Sequence, residues 1–193
     1  MPSLALLRWR TDRFLALDEI ERLHASAKGL GAARRSATQQ LNQAYVLLLS
    51  SQFQGFCRDL HTESARAIGR ILATADLQRL MDDGLTLGRK LDTGNPNPGN
   101  IGADFKRFGL LIWPLLDTAH PRNARRKALL EQMNHWRNAI AHNAFEPGML
   151  RHGRVLLSVR EVRRWRKACD GLARWFDRIM RIRLQAVTGV NPW

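Results

Sequence analysis

Long hydrophobic runs are missing from this sequence. No stretch approaches the roughly 18 apolar residues that a helix needs to cross a membrane. The run from Leu4 to Leu7 is too short for the apolar core of a signal peptide, and Arg8 and Arg10 follow it at once. We therefore expect a soluble, cytoplasmic protein with no membrane partner.

Cysteine is scarce as well, and no cysteine or histidine pair has the spacing of metal ligands. Cys57 and Cys169 both fall within helical periodicity, so we expect buried free thiols in a reducing compartment. The six histidines are scattered along the chain, and His24 and His61 are interpreted as surface or partly packed side chains. We expect neither a metal site nor a cofactor.

Strand-length alternation of apolar and polar residues is almost absent, and the sequence contains no internal repeat. A length of 193 residues suits one domain with a real core. The sequence therefore predicts an all-α, single-domain bundle of four to five main helices over residues 10–188, followed by a flexible tail at 189–193.

Helical periodicity and boundary signals divide the chain into helical segments. A loop rich in Asn, Pro and Gly is predicted near 92–100, Gly55 is a candidate bend, and Gly84 and Gly88 interrupt one segment. The predicted segments cover 11–28, 32–72, 76–90, 101–116, the stretch from Pro121 to Pro147, and the stretch after a capping box at Ser158 to Glu161.

Acidic residues are few relative to basic ones. The chain has 31 Lys and Arg against 17 Asp and Glu, a net charge of +14. Basic surface attracts phosphates, and arginine binds them in a planar fork, so a polyanionic partner such as RNA is expected. An acidic protein would fit the same field, and a basic surface that is merely solvated remains an alternative.

Arg137, Asn138 and His142 place a guanidinium, an amide and an imidazole within six residues, near the end of the helix that follows Pro121. Asn134, Asn138 and His142 recur at i, i+4 and i+8, with His135 beside them and Arg137 about 100° around the helix from Asn138. The opposite face is apolar and is predicted to face the core; it consists of Leu129, Met133, Trp136, Ile140 and Ala144.

Cleavage of RNA is a reaction that such a group can catalyse, because it needs only a proton carrier and a positive charge. The 2′-hydroxyl is an internal nucleophile, an imidazole can take its proton, and a guanidinium can stabilise the charge that develops at phosphorus. The sequence has no Gly-x-Ser-x-Gly elbow and no dinucleotide or Walker loop that would indicate another chemistry.

The run of residues 137–142 resembles the Arg-x4–6-His motif of HEPN domains, including the polar residue directly after the arginine. The segment Leu41 to His61 is similar to the long helix of the RiboL-PSP branch of that family. The resemblance implies a metal-independent endoribonuclease, often a toxin or antiphage defence effector, in which the motifs of two protomers form one composite site. It further implies a homodimer, and a cognate antitoxin or regulatory protein as a partner.

The resemblance also implies roles for single residues. Arg137 would bind and stabilise the phosphate, Asn138 would position groups, and His142 would be the general acid or base. A basic cluster upstream on the same helix could guide the RNA backbone or could be a solvated helix start; it consists of Arg122, Arg125, Arg126 and Lys127.

Two other interpretations of residues 137–142 stay open. HEPN-like proteins include modules that bind RNA, nucleotides or a partner without cleaving. Alternatively, Arg137 and His142 could have a structural role and merely cap or bridge helices.

Overall fold

A computed structural model of the protein describes residues 1–26 and 34–193. Its helices are α1 (Leu4–Arg8), α2 (Phe14–Ser26), α3 (Arg34–Gly69), α4 (Ala75–Thr86), α5 (Lys90–Thr93), α6 (Pro98–Phe105), α7 (Ile112–Ala119), α8 (Arg122–Ala141) and α9 (Val159–Thr188). A π-helical turn, Trp9–Arg13, joins α1 to α2, and two short strands, β1 (Leu150–Arg151) and β2 (Arg154–Val155), form a hairpin before α9. The architecture confirms the predicted all-α bundle, because in the described ranges five helices (α2, α3, α4, α8 and α9) have 12 or more residues.

The long helix α3 is the centre of the bundle. It has 36 residues, about 54 Å at 1.5 Å per residue, and it packs against α1, α2, α4, α8 and α9. Its core side chains recur at helical spacing and are buried: Tyr45, Leu49, Phe53, Phe56 and Leu60. The helix predicted over 32–72 is therefore present from Arg34 to Gly69 and ends three residues earlier than expected; residues 32 and 33 lie outside the described residues.

Helix α3 is continuous across Gly55, the candidate bend. The Arg13 side chain crosses the helix at this point, and a Cβ atom on residue 55 would collide with its guanidinium. The guanidinium then reaches Gln52 Oε1 at 2.9 Å and Asp59 Oδ2 at 2.7 Å. Gly55 thus allows the close approach of an arginine to the helix backbone.

The chain packs into the core before residue 10. Ala5, Leu6 and Trp9 are buried, and the Trp9 ring meets Phe53 at 5.7 Å between centroids, a contact of the kind that contributes about 0.5–1.5 kcal/mol beyond burial. At the other end, Pro192 is buried and Trp193 packs against the core. Residues outside the predicted 10–188 span therefore belong to the packed unit.

The single helix predicted over 101–116 is wrong, because the chain forms two helices there. Asn97 caps α6, Pro98 occupies its first turn, and α6 continues as a short 3-10 turn, Lys106–Phe108. Gly109 then adopts a φ of 67°, which glycine accepts at little cost. The chain turns at this residue, and α7 begins at Ile112.

Helices α8 and α9 form an antiparallel pair connected by a 3-10 turn, Pro147–Met149, and the β1–β2 hairpin. Ser158 and Glu161 form the predicted capping box at the start of α9. Trp136 and Trp165 lie 6.5 Å apart between ring centroids, and Met133 Sδ contacts Cys169 Sγ at 3.9 Å. The C-terminal half of α8 therefore lies beside the N-terminal half of α9.

Both cysteines are buried and free, as predicted, and burial raises the pKa of each thiol. His61 is fully buried, with Nε2 donating to the Asp104 carbonyl at 3.1 Å. The interpretation of His61 as a surface or partly packed side chain is wrong. In the described parts of the chain, no helix combines the length and apolar character that a membrane span requires.

Candidate active site at the C-terminal end of helix α8

The helix that carries the motif ends earlier than Pro147, at Ala141, because Asn143 adopts a left-handed conformation with φ of 50°. The Ala144 N–H donates to the Ala139 carbonyl at 2.9 Å, and the Asn143 N–H donates to the Ile140 carbonyl at 3.2 Å. These two bonds form a Schellman motif with asparagine in the place that glycine usually takes. The motif makes His142 the C-cap residue and turns the chain away from the helix axis.

The side chains of Arg137 and Asn138 are hydrogen-bonded to each other. One guanidinium nitrogen of Arg137 donates to Asn138 Oδ1 at 3.2 Å, although the two residues are successive and start about 100° apart around the helix. Asn138 is exposed, and Arg137 is half-buried. A cationic fork and an amide thus face solvent together at the end of α8.

His142 lies one helical turn beyond Asn138. Its backbone N–H donates to the Asn138 carbonyl at 3.0 Å, and its side chain is exposed. The His142 ring has no hydrogen-bond or ion-pair partner among residues 1–26 and 34–193. The ring is therefore accessible to a ligand.

A residue that sequence reasoning did not assign to the site, Asn95, completes this group. Its Nδ2 donates to Asn138 Oδ1 at 2.8 Å, and its Oδ1 accepts from Asn97 Nδ2 at 2.7 Å. Asn97 Oδ1 in turn accepts from the Asn100 backbone N–H at 2.9 Å. The Asn-rich loop is visible in the sequence, but no local signal says that it lies against α8.

The loop from Gly94 to Asn97 is fastened by several other side chains. Gln54 Nε2 donates to the Gly94 carbonyl at 2.8 Å, and Asn100 Nδ2 donates to the Asn95 carbonyl at 2.8 Å. Asn134 Nδ2 donates to the Pro96 carbonyl at 3.1 Å. Because Asn134 is buried under this loop, it does not share the exposed face of Asn138 and His142, contrary to the sequence expectation.

The apolar stripe of α8 also departs from expectation at one end. Met133 is buried, and Leu129, Trp136 and Ile140 pack against the core. Ala144 is exposed, because α8 has ended before it. His135 is exposed and lies 3.2 Å from Glu146 Oε2 through its Nε2, so the described contacts pair this histidine with a carboxylate outside the motif.

In the basic cluster at the N-terminal end of α8, two of the four side chains pack against neighbouring residues and two are exposed. Arg126 lies across Gly171, where a Cβ atom would collide with its side chain, and it donates to Asn123 Oδ1 at 2.7 Å. Lys127 Nζ lies over the Trp113 ring, 5.5 Å from the centroid. Arg122 and Arg125 are exposed. Burial, reinforced by neighbouring arginines, lowers the pKa of Arg126.

The cluster and the motif occupy opposite ends of one helix. Fifteen residues separate Arg122 from Arg137, a distance of about 22 Å along the axis. The structure therefore does not bring these two predicted groups into one pocket of a single chain. In the described residues, no group of three or more His, Cys, Asp or Glu side chains is arranged to hold a metal ion.

No protein-family model, no curated protein and no solved structure matches the chain.

Proposed function

We propose that this chain is a metal-independent endoribonuclease of the HEPN type, a toxin or antiphage defence effector that acts through a composite site in a homodimer. The observation that carries the proposal is the exposed group at the end of α8, where Arg137 and Asn138 are hydrogen-bonded to each other and His142 follows one turn later. The net charge of +14 supports a polyanionic substrate.

The proposed reaction is an internal transesterification of RNA. The 2′-oxygen attacks the adjacent phosphorus, the bond from phosphorus to the 5′-oxygen breaks, and its electron pair leaves with that oxygen. The products are a 2′,3′-cyclic phosphate and a 5′-hydroxyl. His142 would take the proton of the attacking hydroxyl or supply the proton of the leaving oxygen.

Arg137 would stabilise the negative charge that builds up on the phosphorane oxygens. The C-terminal end of a helix carries partial negative charge and does not itself attract phosphate. The attraction at this end of α8 therefore has to come from side chains, and Arg137 is the cation of the motif. Its bond to Asn138 Oδ1 uses one guanidinium donor and leaves others for a phosphate oxygen.

A second copy of the chain would complete the chemistry. The reaction needs one group to accept a proton and another to donate one, and each chain offers one motif histidine. His135, the other histidine on this part of α8, already pairs with Glu146. Two copies that meet at the exposed ends of α8 would supply two His142 rings to one phosphate.

Cleavage of total RNA and transfer RNA by the purified protein in chelator tests this function. The matched comparison is His142→Ala with His135→Ala, because both histidines are exposed on α8 or at its end and only one belongs to the motif. We expect cleavage by wild type and His135→Ala and none by His142→Ala. Cleavage that persists in His142→Ala would contradict the assignment, and binding without cleavage in all three would indicate a binding module.

A growth assay tests the proposed role as a toxin or defence effector. Expression of wild type is expected to arrest growth of a host cell, whereas Arg137→Ala at the same protein level is expected to be tolerated. Equal growth with both proteins, each shown to be folded and expressed, would remove support for a toxic role.

A further inference from the structure

The side chains of Asn97, Asn95 and Asn138 form a series of hydrogen bonds from the start of α6 to the end of α8, here called the relay. Which amide atoms donate and which accept is fixed at both ends of the relay. At one end, the Asn100 backbone N–H can only donate, so the Asn97 atom that it meets at 2.9 Å is the oxygen. At the other end, the Arg137 guanidinium can only donate, so the Asn138 atom that it meets at 3.2 Å is also the oxygen.

The donor and the acceptor in each of the two inner hydrogen bonds follow from the two outer ones. Asn97 presents its oxygen to Asn100, so its NH₂ group donates to Asn95 Oδ1 at 2.7 Å. Asn95 then has only its NH₂ group left, which donates to Asn138 Oδ1 at 2.8 Å. Every amide in the relay has one consistent orientation, and reversing Asn138 would place its NH₂ group against two donors.

The relay leaves the NH₂ group of Asn138 turned away from the loop. Both lone pairs of Asn138 Oδ1 are occupied, one by Asn95 and one by Arg137. Asn138 Nδ2 has no hydrogen-bond partner in the described residues, and the side chain is exposed. The solvent-facing side of the Arg137–Asn138 pair therefore offers N–H donors and no oxygen acceptor from either side chain.

We infer that Asn95 is a positioning residue, which holds the Asn138 amide with its NH₂ group toward the substrate so that the pair selects an anionic oxygen, here a phosphodiester oxygen of RNA. This inference rests on the proposed function, since it assigns a task to Asn95 at that same site. A neutral acceptor such as a base carbonyl would also meet Asn138, but a charged oxygen gains more from the guanidinium beside it, because the hydrogen bond then joins two opposite charges.

The Asn95 side chain is not needed to hold its own loop. Gln54, Asn100 and Asn134 donate to backbone carbonyls of residues 94, 95 and 96. These three contacts remain when Asn95 is shortened to alanine. Removing the Asn95 amide is therefore expected to free the orientation of Asn138 without moving the loop backbone.

A double-mutant cycle on RNA binding tests the inference. The probe is a 2′-O-methyl oligoribonucleotide, which keeps the phosphodiesters and lacks the nucleophile, and the proteins are wild type, Asn95→Ala, Asn138→Ala and the double variant. Asn95→Ala is expected to weaken binding about three- to tenfold, the effect of one hydrogen bond. In the Asn138→Ala background, the same change is expected to have no further effect, because Asn95 acts through Asn138.

Two outcomes of this cycle would overturn the inference. If Asn95→Ala weakens binding equally in both backgrounds, Asn95 acts on the fold or on the ligand directly. If Asn95→Ala binds like wild type, the orientation of Asn138 does not depend on it. Thermal unfolding of each variant checks that the loss of binding is not a loss of structure.

A second pair of variants separates orientation from charge. Asp at position 95 can only accept, so Asn95→Asp turns the Asn138 NH₂ group inward and also adds a negative charge. Thr93→Asp adds the same charge two residues away at an exposed position outside the relay. Asn95→Asp is expected to weaken binding several-fold more than Thr93→Asp; equal losses would contradict a positioning role.

The outcomes distinguish failure of this inference from failure of the proposed function. The oligonucleotide cannot be cleaved, so its binding is measured independently of catalysis. If Asn95 and Asn138 are coupled in binding but the protein does not cleave natural RNA, the positioning role of Asn95 is supported and the proposed enzymatic activity is contradicted. If wild type cleaves natural RNA but the effects of Asn95→Ala and Asn138→Ala on binding are independent, the positioning role of Asn95 is contradicted and the proposed enzymatic activity is supported.

Discussion

The two ends of α8 both carry arginine, but they hold it in different ways. At the N-terminal end, Arg126 and Lys127 lie against Gly171 and the Trp113 ring, so part of the positive charge serves the packing of α8 on its neighbours. At the C-terminal end, Arg137 is bound to the amide of Asn138, which the loop residue Asn95 also contacts. Three arginines and a lysine lie at the first end, whereas an arginine, an amide and an imidazole lie together at the second.

This difference indicates what each end can contribute. Exposed cations such as Arg122 and Arg125 attract a phosphate backbone without selecting an atom. An arginine bound to an adjacent amide, with an imidazole one helical turn away, can act on one phosphate. We therefore expect changes at the C-terminal end to alter the reaction rate, and changes at the N-terminal end to alter stability or affinity.

The largest expected effect is that of His142→Ala on cleavage. Loss of a general acid or base lowers a rate by about 10²–10⁴-fold, and we expect a fall of that size in the single-turnover rate at saturating RNA. Because the ring is exposed and unpartnered in the described residues, the free energy of unfolding is expected to change by less than about 0.5 kcal/mol. A similar rate loss in Arg122→Ala would erase the distinction between the two ends.

Much of the contrast could be predicted from the sequence, because it depends on local spacing. The periodicity of α3 and α9, the capping box at Ser158 and the grouping of Arg137 with Asn138 are all set by residues close in the chain. Local signals of this kind determine where helices run and which side chains share a face.

The features that sequence reasoning missed depend on contacts between distant segments. Asn95 contacts Asn138, which is 43 positions away in the sequence. Asn134 is buried beneath the loop, where its side chain donates to the Pro96 carbonyl. His61 looks polar in its helix, yet the rings of Phe105 and Phe108 cover it. No periodicity within one helix contains this information.

Acid pH is expected to have the second largest effect, through His61 rather than through the motif. Burial, opposed by the hydrogen bond to the Asp104 carbonyl, lowers the pKa of His61 from 6.5 to about 4. The unfolded chain therefore binds a proton between these values that the folded chain does not. The contribution of His61 to the free energy of unfolding is fully present above about pH 6.5, and this free energy falls by about 3 kcal/mol as the pH drops to about 4.

Urea unfolding at several pH values measures this loss, and His61→Gln is its matched control. Glutamine can still donate to the Asp104 carbonyl but does not titrate, so the stability of the variant is expected to be flatter between pH 6.5 and 4. An unchanged slope would assign the acid sensitivity to other groups. The comparison of wild type with His61→Gln also shows at which pH values the protein is still folded. A fall in cleavage at acid pH can be attributed to His142 only at those pH values.

The third prediction concerns the packing role of the N-terminal end. Arg126→Ala removes the donor to Asn123 Oδ1, which belongs to a buried side chain. An acceptor left unsatisfied in this way costs about 1–3 kcal/mol, so the free energy of unfolding is expected to fall by that amount. Chemical denaturation measures it. Arg122→Ala, at an exposed position, is the control and is expected to change stability by less than about 0.5 kcal/mol.

The smallest expected effect is on RNA affinity when the two exposed arginines of the N-terminal end are removed. Arg122→Ala with Arg125→Ala is expected to weaken binding of the uncleavable oligonucleotide several-fold and to reduce the slope of log K against log salt by up to about 1.4, about 0.7 for each single-strand phosphate contact. The single-turnover rate at saturating RNA is expected to stay unchanged, because neither residue belongs to the motif.

The matched control removes the same charge elsewhere. Arg8 and Arg10 are exposed at the N-terminal end of the chain, outside α8, and their double alanine variant has the same net charge as the Arg122 and Arg125 variant. If both double variants lose affinity equally, the effect belongs to the total charge of the protein. If only the α8 variant loses affinity and salt dependence, RNA runs along α8 from the exposed Arg122 and Arg125 to the motif, and the two ends are parts of one surface.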